Sequence, residues 1–341
     1  MNRVLKILLY AVLCLLVVAA AGITLTIGWR PFIGPRARPL TSRTFEKTPE
    51  RLARGKYIFE HQSVCVDCHS PHDWTLREAP IPAGMEGAGG DFSVLKGLPG
   101  RVVAPNLTPD VETGSGSWSD DAMARAIREG IGHDGRTLFP MMPYENYRQM
   151  PDEDVASVVV YLRSLPPVHN PLPTTEIIFP VKYLIRSVPQ PITEPVPAPD
   201  VSDPVKRGAF LVTMAGCRDC HTPMEKGAPL PNMDLAGGQI FEGPWGRVAT
   251  PNLTPDPSGI PYYDETLFVQ ALRTGFVRAR PLNQIMPWNI YGGMTDEDLK
   301  AIFAYLKTVK PVHHVVDNAE PAVLCVVCNT VHGGGEKNKK E

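Results

Sequence analysis

The sequence predicts a mostly α-helical protein in which two tandem domains of one fold follow an N-terminal transmembrane helix. Three observations predict it: an uncharged apolar run near the N-terminus, a long internal repeat, and helical spacing of apolar residues in both halves of that repeat. The 341 residues suffice for two ordinary domains, and 43% hydrophobic residues can supply a core for each. A net charge of −2 gives no indication of nucleic-acid binding. The 36 prolines predict short helices joined by long ordered loops.

The apolar run covers residues 7–28 and is long enough to cross a bilayer. Arg3 and Lys6 precede it, which predicts that the N-terminus stays in the cytoplasm. We therefore expect residues 1–30 to anchor the chain in a bacterial inner membrane by a single pass, with the remainder in the periplasm. The alternative is a signal peptide that is cleaved near residues 19–21.

The same landmarks occur twice, in the same order and about 150 residues apart. Each half has an Arg-Gly step, a Cys-x-x-Cys-His motif, an Asn-Leu-Thr-Pro-Asp loop, a Met-Pro-aromatic step and a segment that starts with Asp-Glu-Asp. This repeat predicts one domain at residues 45–165, a proline-rich linker at 166–204, a second domain at 205–312 and a C-terminal tail at 313–341.

Helix signals occur at matching places in the two halves. Thr48 and Asp203 each precede a proline, as a helix N-cap does. Apolar residues spaced i, i+3, i+4, i+7 predict one buried helical face near the end of each domain. The expected helices are those that begin after Thr48 and Asp203, those near residues 119–129 and 264–274, and those that begin at Asp152 and Asp296.

Cys-x-x-Cys-His is the signature of covalent haem attachment, in which two thiols form thioethers and the adjacent histidine ligates the iron. A single motif could also be a chance match, half of a zinc site or a redox dithiol. Two motifs at equivalent repeat positions predict two covalently bound haem c groups. The expected attachment residues are Cys65, Cys68, Cys217 and Cys220, and the expected proximal ligands are His69 and His221.

The expected sixth iron ligands are Met142 and Met286, which occupy the Met-Pro-aromatic step of each half. A methionine of this kind can also simply fill a core, but two at one repeat position favour ligation. Met141 is a rival in the first domain, although Ile285 stands at its counterpart. Asn106 and Asn252 are expected either to contact haem propionates or to form the turn in which they lie.

Taken together, these motifs resemble those of the di-haem and tri-haem cytochrome c subunits of membrane-bound alcohol, gluconate and related dehydrogenases. The resemblance covers about residues 45–312. It implies class I cytochrome c domains with His/Met ligation, exposed to the periplasm, that pass electrons from a dehydrogenase toward quinone or an oxidase.

The leading hypothesis is an electron-transfer protein of a respiratory chain rather than an enzyme, because two six-coordinate haems leave no open iron position. Its expected donors are a dehydrogenase or a quinol-oxidising complex, and its expected acceptors an oxidase or a soluble cytochrome. One alternative is a dedicated electron-transfer subunit of a membrane-bound dehydrogenase complex. Another is a di-haem peroxidase, which would need an open or displaceable iron ligand.

The tail carries a third pair, Cys325 and Cys328, but Asn329 follows it instead of a histidine, so no third haem is expected. With His332 these cysteines could hold zinc, the fourth ligand coming from His313, His314 or another chain. Both His313 and His314 are otherwise expected to be exposed. The glycines at 333–335 and the charged end predict a flexible terminus, which favours a disulfide or dithiol over a metal site.

Overall fold

The computed structural model describes residues 2–339, beginning with helix α1 (Arg3–Leu25). This helix of 23 residues has no buried residue and is about 35 Å long at 1.5 Å per residue. Within residues 2–339 it is the one helix whose length and composition would let it cross a membrane, a property that signal sequences share. A short helix, α2 (Arg30–Ile33), follows.

The segment after α2 is tied to the first domain through one buried carboxylate, Asp121. Arg38 Nη1 lies 2.7 Å and Arg43 Nη2 lies 2.8 Å from its carboxylate oxygens. The backbone N–H of Thr41 donates to the same group at 2.7 Å. Burial alone would raise the pKa of Asp121, but the hydrogen bonds from Arg38 and Thr41 outweigh burial and hold this pKa well below its ordinary value.

The two halves of the repeat form the same helices in the same order. The first half contains α3 (Pro49–Tyr57), α4 (Cys65–Cys68), α5 (Asp120–Glu129), α6 (Tyr144–Tyr147) and α7 (Asp152–Ser164). The connecting segment contains α8 (Val181–Leu184). The second half contains α9 (Pro204–Met214), α10 (Cys217–His221), α11 (Glu265–Thr274), α12 (Trp288–Tyr291) and α13 (Asp296–Leu306).

The helix starts predicted from the sequence are confirmed. The Thr48 side chain accepts a hydrogen bond from the N–H of Arg51, and the Asp203 side chain accepts one from the N–H of Val205. Both residues are therefore N-caps with proline in the first turn. The last helix of each domain begins at Asp152 and Asp296, as expected.

The first and last helices of each domain pack against each other at a glycine. A Cβ atom built on Gly55 would lie 2.0 Å from the carbonyl oxygen of Ser157, and one on Gly208 would lie 1.9 Å from that of Ala301. The arginine before each glycine pairs with an aspartate of the last helix: Arg54 Nε to Asp154 at 2.8 Å, and Arg207 Nε to Asp298 at 2.6 Å. The repeated Arg-Gly step is therefore the helix-crossing contact.

Strands are few and short, and all form antiparallel pairs. The pairs are β1 (Gly90–Asp91) with β3 (Val103–Ala104), β2 (Gly100–Arg101) with β4 (Glu176–Ile177), β5 (Met224–Glu225) with β6 (Ala228–Pro229), β7 (Ile240–Gly243) with β8 (Gly246–Ala249), β9 (Phe276–Val277) with β10 (Arg280–Pro281), and β11 (Ala322–Leu324) with β12 (Val331–Gly333). The proline-rich connection lies along the first domain, because its strand β4 pairs with β2.

Each half of the repeat has its own apolar core, and the two cores touch. Met214, from the second half, is fully buried within the core cluster of the first half, which Ile290 also contacts. The Tyr57 hydroxyl donates to Asp298 across the boundary, and the N–H of Thr295 donates to Tyr57 at 3.1 Å. The boundary between the halves is therefore a packed interface.

Candidate functional site

Both Cys-x-x-Cys-His motifs form a short helix that follows a residue in the left-handed region, Val64 in one case and Gly216 in the other. His69 Nδ1 lies 2.9 Å from the carbonyl oxygen of Pro105, and His221 Nδ1 lies 2.9 Å from that of Pro251. A carbonyl only accepts, so Nδ1 carries the proton and Nε2 keeps its lone pair.

Both histidines are largely buried, and this sets their protonation state. Burial lowers the pKa of His69 to about 4 and lowers the pKa of His221 in the same direction, against the opposing effect of the carbonyl hydrogen bonds. The imidazoles are therefore neutral at neutral pH, as an iron ligand must be.

Asn106 and Asn252 hold the loops whose carbonyls orient those histidines. The Asn106 side chain accepts from the N–H of Thr108 at 3.0 Å and donates to the carbonyl of Val168 at 2.7 Å. Asn252 makes the matching bonds with Thr254 and Val312, each at 2.8 Å. Because both asparagines are buried and their side chains bond to neighbouring protein groups, the geometry favours the turn over the propionate alternative.

One tyrosine in each half, which the sequence analysis did not single out, connects the methionine loop to the attachment motif. The methionine loop is the loop that carries Met142 in the first half and Met286 in the second. Tyr147 donates its hydroxyl hydrogen to the carbonyl of Ser63, and Tyr291 donates to that of Ala215, both at 2.5 Å. Each tyrosine stands five residues after Met142 or Met286. This repeated position was the signal in the sequence, and it ties the methionine loop to the backbone just before the first cysteine.

One continuous cavity of about 2190 Å³ reaches both motifs. Pockets for single drug-sized ligands measure about 300–1,000 Å³, so this larger volume suits two large planar groups. It is lined by the four motif cysteines, the two motif histidines, and Met142 and Met286. Four of its lining residues carry a buried donor without a hydrogen-bond partner among residues 2–339: Ser63, Arg136, Thr137 and Trp245. Such donors fit the anionic edge of a haem.

The attachment region of each half contacts the methionine loop of the other. Gln284, just before Met286, donates to the carbonyl of Trp74 at 3.3 Å. Asn146, shortly after Met142, donates to Asp219 within the second motif at 2.8 Å. The Trp74 ring also lies 4.7 Å from that of Trp245. These contacts hold the two sites side by side.

The tail differs from the sequence expectation. Residues 333–335 are buried, so the expectation of a flexible terminus is wrong for these three glycines. A Cβ atom on Gly333 would lie 1.9 Å from the carbonyl oxygen of Asp317, so this glycine serves close packing. His314, expected to be exposed, is fully buried, and Cys325 and Cys328 are free thiols.

A sequence model of the family described as Cytochrome c matches residues 52–166 and 205–310, more than half of the chain. One of the subunits of nicotinate dehydrogenase from Pseudomonas putida is 31% identical over 330 residues, which is 89% of this chain and 25% of that protein. The cytochrome c subunit of the quinone-dependent alcohol dehydrogenase of Gluconacetobacter polyoxogenes is 29% identical over 296 residues, 80% of this chain and 60% of that subunit.

A protein of Cereibacter sphaeroides named diheme cytochrome c-type is 29% identical over 321 residues, 87% of this chain and 96% of that protein. The chain thus spans only part of the first two relatives but nearly all of the third. Two matched regions, each with one complete attachment motif, account for two haem c groups. The chain belongs to the cytochrome c family, whose covalent haems transfer electrons.

Proposed function

We propose that this protein is a membrane-anchored electron carrier with two class I cytochrome c domains. His69 and Met142 would ligate the haem iron of the first domain, and His221 and Met286 that of the second. The observation that carries the proposal is the single cavity that both ligand sets line. Sites that share one apolar envelope allow an electron to pass from one domain to the other within the chain.

Each haem c, when bound, supplies a one-electron iron couple. The cysteines hold the group in place, and the Pro105 and Pro251 carbonyls fix the plane of each proximal imidazole. Met142 and Met286 would hold the iron from the side opposite these histidines, and a methionine ligand would raise the reduction potential. The apolar side chains that line the cavity would surround a bound haem, which would lower the reorganisation that accompanies a change of charge.

The same ligand sets argue for a carrier over an enzyme. If His69 with Met142 and His221 with Met286 held the two irons, neither site would offer a substrate an open position on the metal. The tyrosine bonds of the two methionine loops are equal in length, so this anchor is the same in both domains. A di-haem peroxidase would need one loop that releases its ligand.

The haem domains are proposed to lie in the periplasm of a bacterial inner membrane, because Arg3 and Lys6 lie at the N-terminal end of α1, before its uncharged apolar run. The donor is proposed to be a dehydrogenase or a quinol-oxidising complex, and the acceptor an oxidase or a soluble cytochrome. Relatives named as dehydrogenase subunits support the first donor. The relative that is matched over 96% of its length is named as a di-haem cytochrome alone, which supports a stand-alone carrier.

The test uses the full-length protein reconstituted in liposomes and fully reduced without oxygen. Mixing with an excess of an oxidised soluble cytochrome c should release two electrons per chain, and carbon monoxide should not alter the reduced spectrum. Carbon monoxide binding together with consumption of hydrogen peroxide would overturn the proposal in favour of a peroxidase. Recovery from membranes in one complex with a dehydrogenase would show the subunit alternative.

A further inference from the structure

The C-terminal tail brings four metal-binding side chains around one buried point. His314 follows the last helix, Cys325 and Cys328 lie in the turn between β11 and β12, and His332 lies on β12. The donor atoms of all four lie within 4.8 Å of one another. None of these residues is more than 2% exposed.

The separations match a tetrahedral zinc site. With Zn–S bonds of about 2.3 Å and Zn–N bonds of about 2.0–2.1 Å, neighbouring sulfur and nitrogen ligands lie about 3.6 Å apart. Cys325 Sγ lies 3.5 Å from His314 Nε2, and Cys328 Sγ lies 3.3 Å from His332 Nε2. Small shifts of the four side chains around a bound ion would bring their donor atoms to tetrahedral positions.

The outer contacts orient each ligand as a metal site requires. His314 Nδ1 lies 2.8 Å from the carbonyl oxygen of Ala236, and His332 Nδ1 lies 2.9 Å from that of Gly333. Because a carbonyl must receive the proton, both Nε2 lone pairs face the sulfurs. The Asn338 amide donates to Cys325 Sγ at 3.4 Å, which supports a thiolate there.

The internal repeat shows what His314 adds. In the first domain Asn170 occupies the equivalent place, two residues after the valine carbonyl that accepts from Asn106, and donates to the carbonyl of Ala88 at 2.8 Å. His314 makes the same bond to Ala236 in the second domain. An asparagine would therefore be enough to bond the Ala236 carbonyl of this loop. What the histidine adds is its second ring nitrogen, Nε2, which faces the cysteines.

We propose that His314, Cys325, Cys328 and His332 form a structural zinc site. Two sulfurs and two imidazole nitrogens in tetrahedral arrangement are the ligand set that selects zinc. Four protein ligands leave no open position, so the ion cross-links the tail and does no chemistry. Coordination also keeps the two thiols from closing into a disulfide in an oxidising compartment.

The site fastens the tail to the loop behind the second proximal histidine. The N–H of Gly237 donates to the carbonyl of His221 at 2.7 Å, directly after the Ala236 carbonyl that orients His314. A Cβ atom on Gly238 would lie 2.6 Å from the His314 ring. The loop of residues 236–238 is therefore held between the zinc ligands on one side and His221 of the second haem site on the other.

The test is a metal analysis of full-length protein that is purified from membranes without chelators. Elemental mass spectrometry should find about one zinc per chain, the stoichiometry of a closed four-ligand site, in addition to the two haem irons. His314→Asn should lose the zinc and keep both haems, because asparagine preserves the bond to Ala236. His313→Asn, at the exposed neighbouring position, should retain the zinc.

A wild-type protein without zinc would overturn the proposal, whether its tail peptide is lighter by about two daltons, as a disulfide requires, or titrates as two free thiols. Zinc that persists in His314→Asn would overturn it as well. X-ray absorption at the zinc edge of the wild-type protein gives a second measurement, independent of any variant. It should show two sulfur and two nitrogen neighbours, and any other set would refute the site.

Discussion

Replacing Gly208 by alanine should weaken the contact between the first and last helices of the second domain. The new Cβ atom would lie 1.9 Å from the Ala301 carbonyl oxygen, whereas contacts under 3.0 Å essentially do not occur. The helices must therefore separate by about 1 Å, and so severe a contact with backbone falls in the upper part of the range for overpacking, at about 2–3 kcal/mol. The greater helix propensity of alanine offsets about 1 kcal/mol. We expect a net loss of about 1–2 kcal/mol.

The assay is guanidinium unfolding of the full-length protein in detergent, followed by helical circular dichroism and haem absorption. Gly55→Ala should behave alike, because its Cβ would lie 2.0 Å from a backbone oxygen of the facing helix. Lys206→Ala, at an exposed position of the same helix, is the control and should change stability by under about 1 kcal/mol. A Gly208→Ala protein as stable as the wild type would refute the helix-crossing explanation of the Arg-Gly step.

Three further predictions concern the iron ligands, the haem attachment sites, and the contacts of Asp121 with the segment after α2, which we call the clamp. Met142→His and Met286→His should each lower the potential of one haem, since methionine raises it, and a spectroelectrochemical titration in which neither moves would contradict the ligand assignment. Cys65→Ser and Cys217→Ser should each reduce the haem count, and a pyridine haemochrome value of two would contradict the attachment sites. The stabilisation from Asp121 is present above its unfolded pKa near 3.8 and is lost as the pH falls through the lower folded value. Pepsin should therefore release the haem domains from vesicles faster for Asp121→Asn than for the wild type, and equal rates at pH 4 would contradict the clamp.

Much of this protein can be predicted from local sequence because its determinants are local. A proline directly after Thr48 or Asp203 defines a helix start within one turn, and both starts lie where expected. Cys-x-x-Cys-His contains three of the groups that hold a haem in five consecutive residues, so no tertiary information is needed to recognise it. The repeat extends each inference from one half of the chain to the other.

The features that could not be predicted depend on contacts between residues far apart in the chain. The sequence gives no sign that Tyr147 bonds to Ser63, because a hydroxyl and a carbonyl 84 residues apart meet only when the domain has folded. The sequence predicts an exposed His314, since the residues beside it show no helical or strand periodicity that marks burial, yet the hairpin returns Cys325 and Cys328 to its ring. Local motifs are thus sufficient to specify two haem attachment sites and their helices. The shared cavity and the four-ligand cluster of the tail emerge only in the folded chain, because side-chain packing between distant segments sets both.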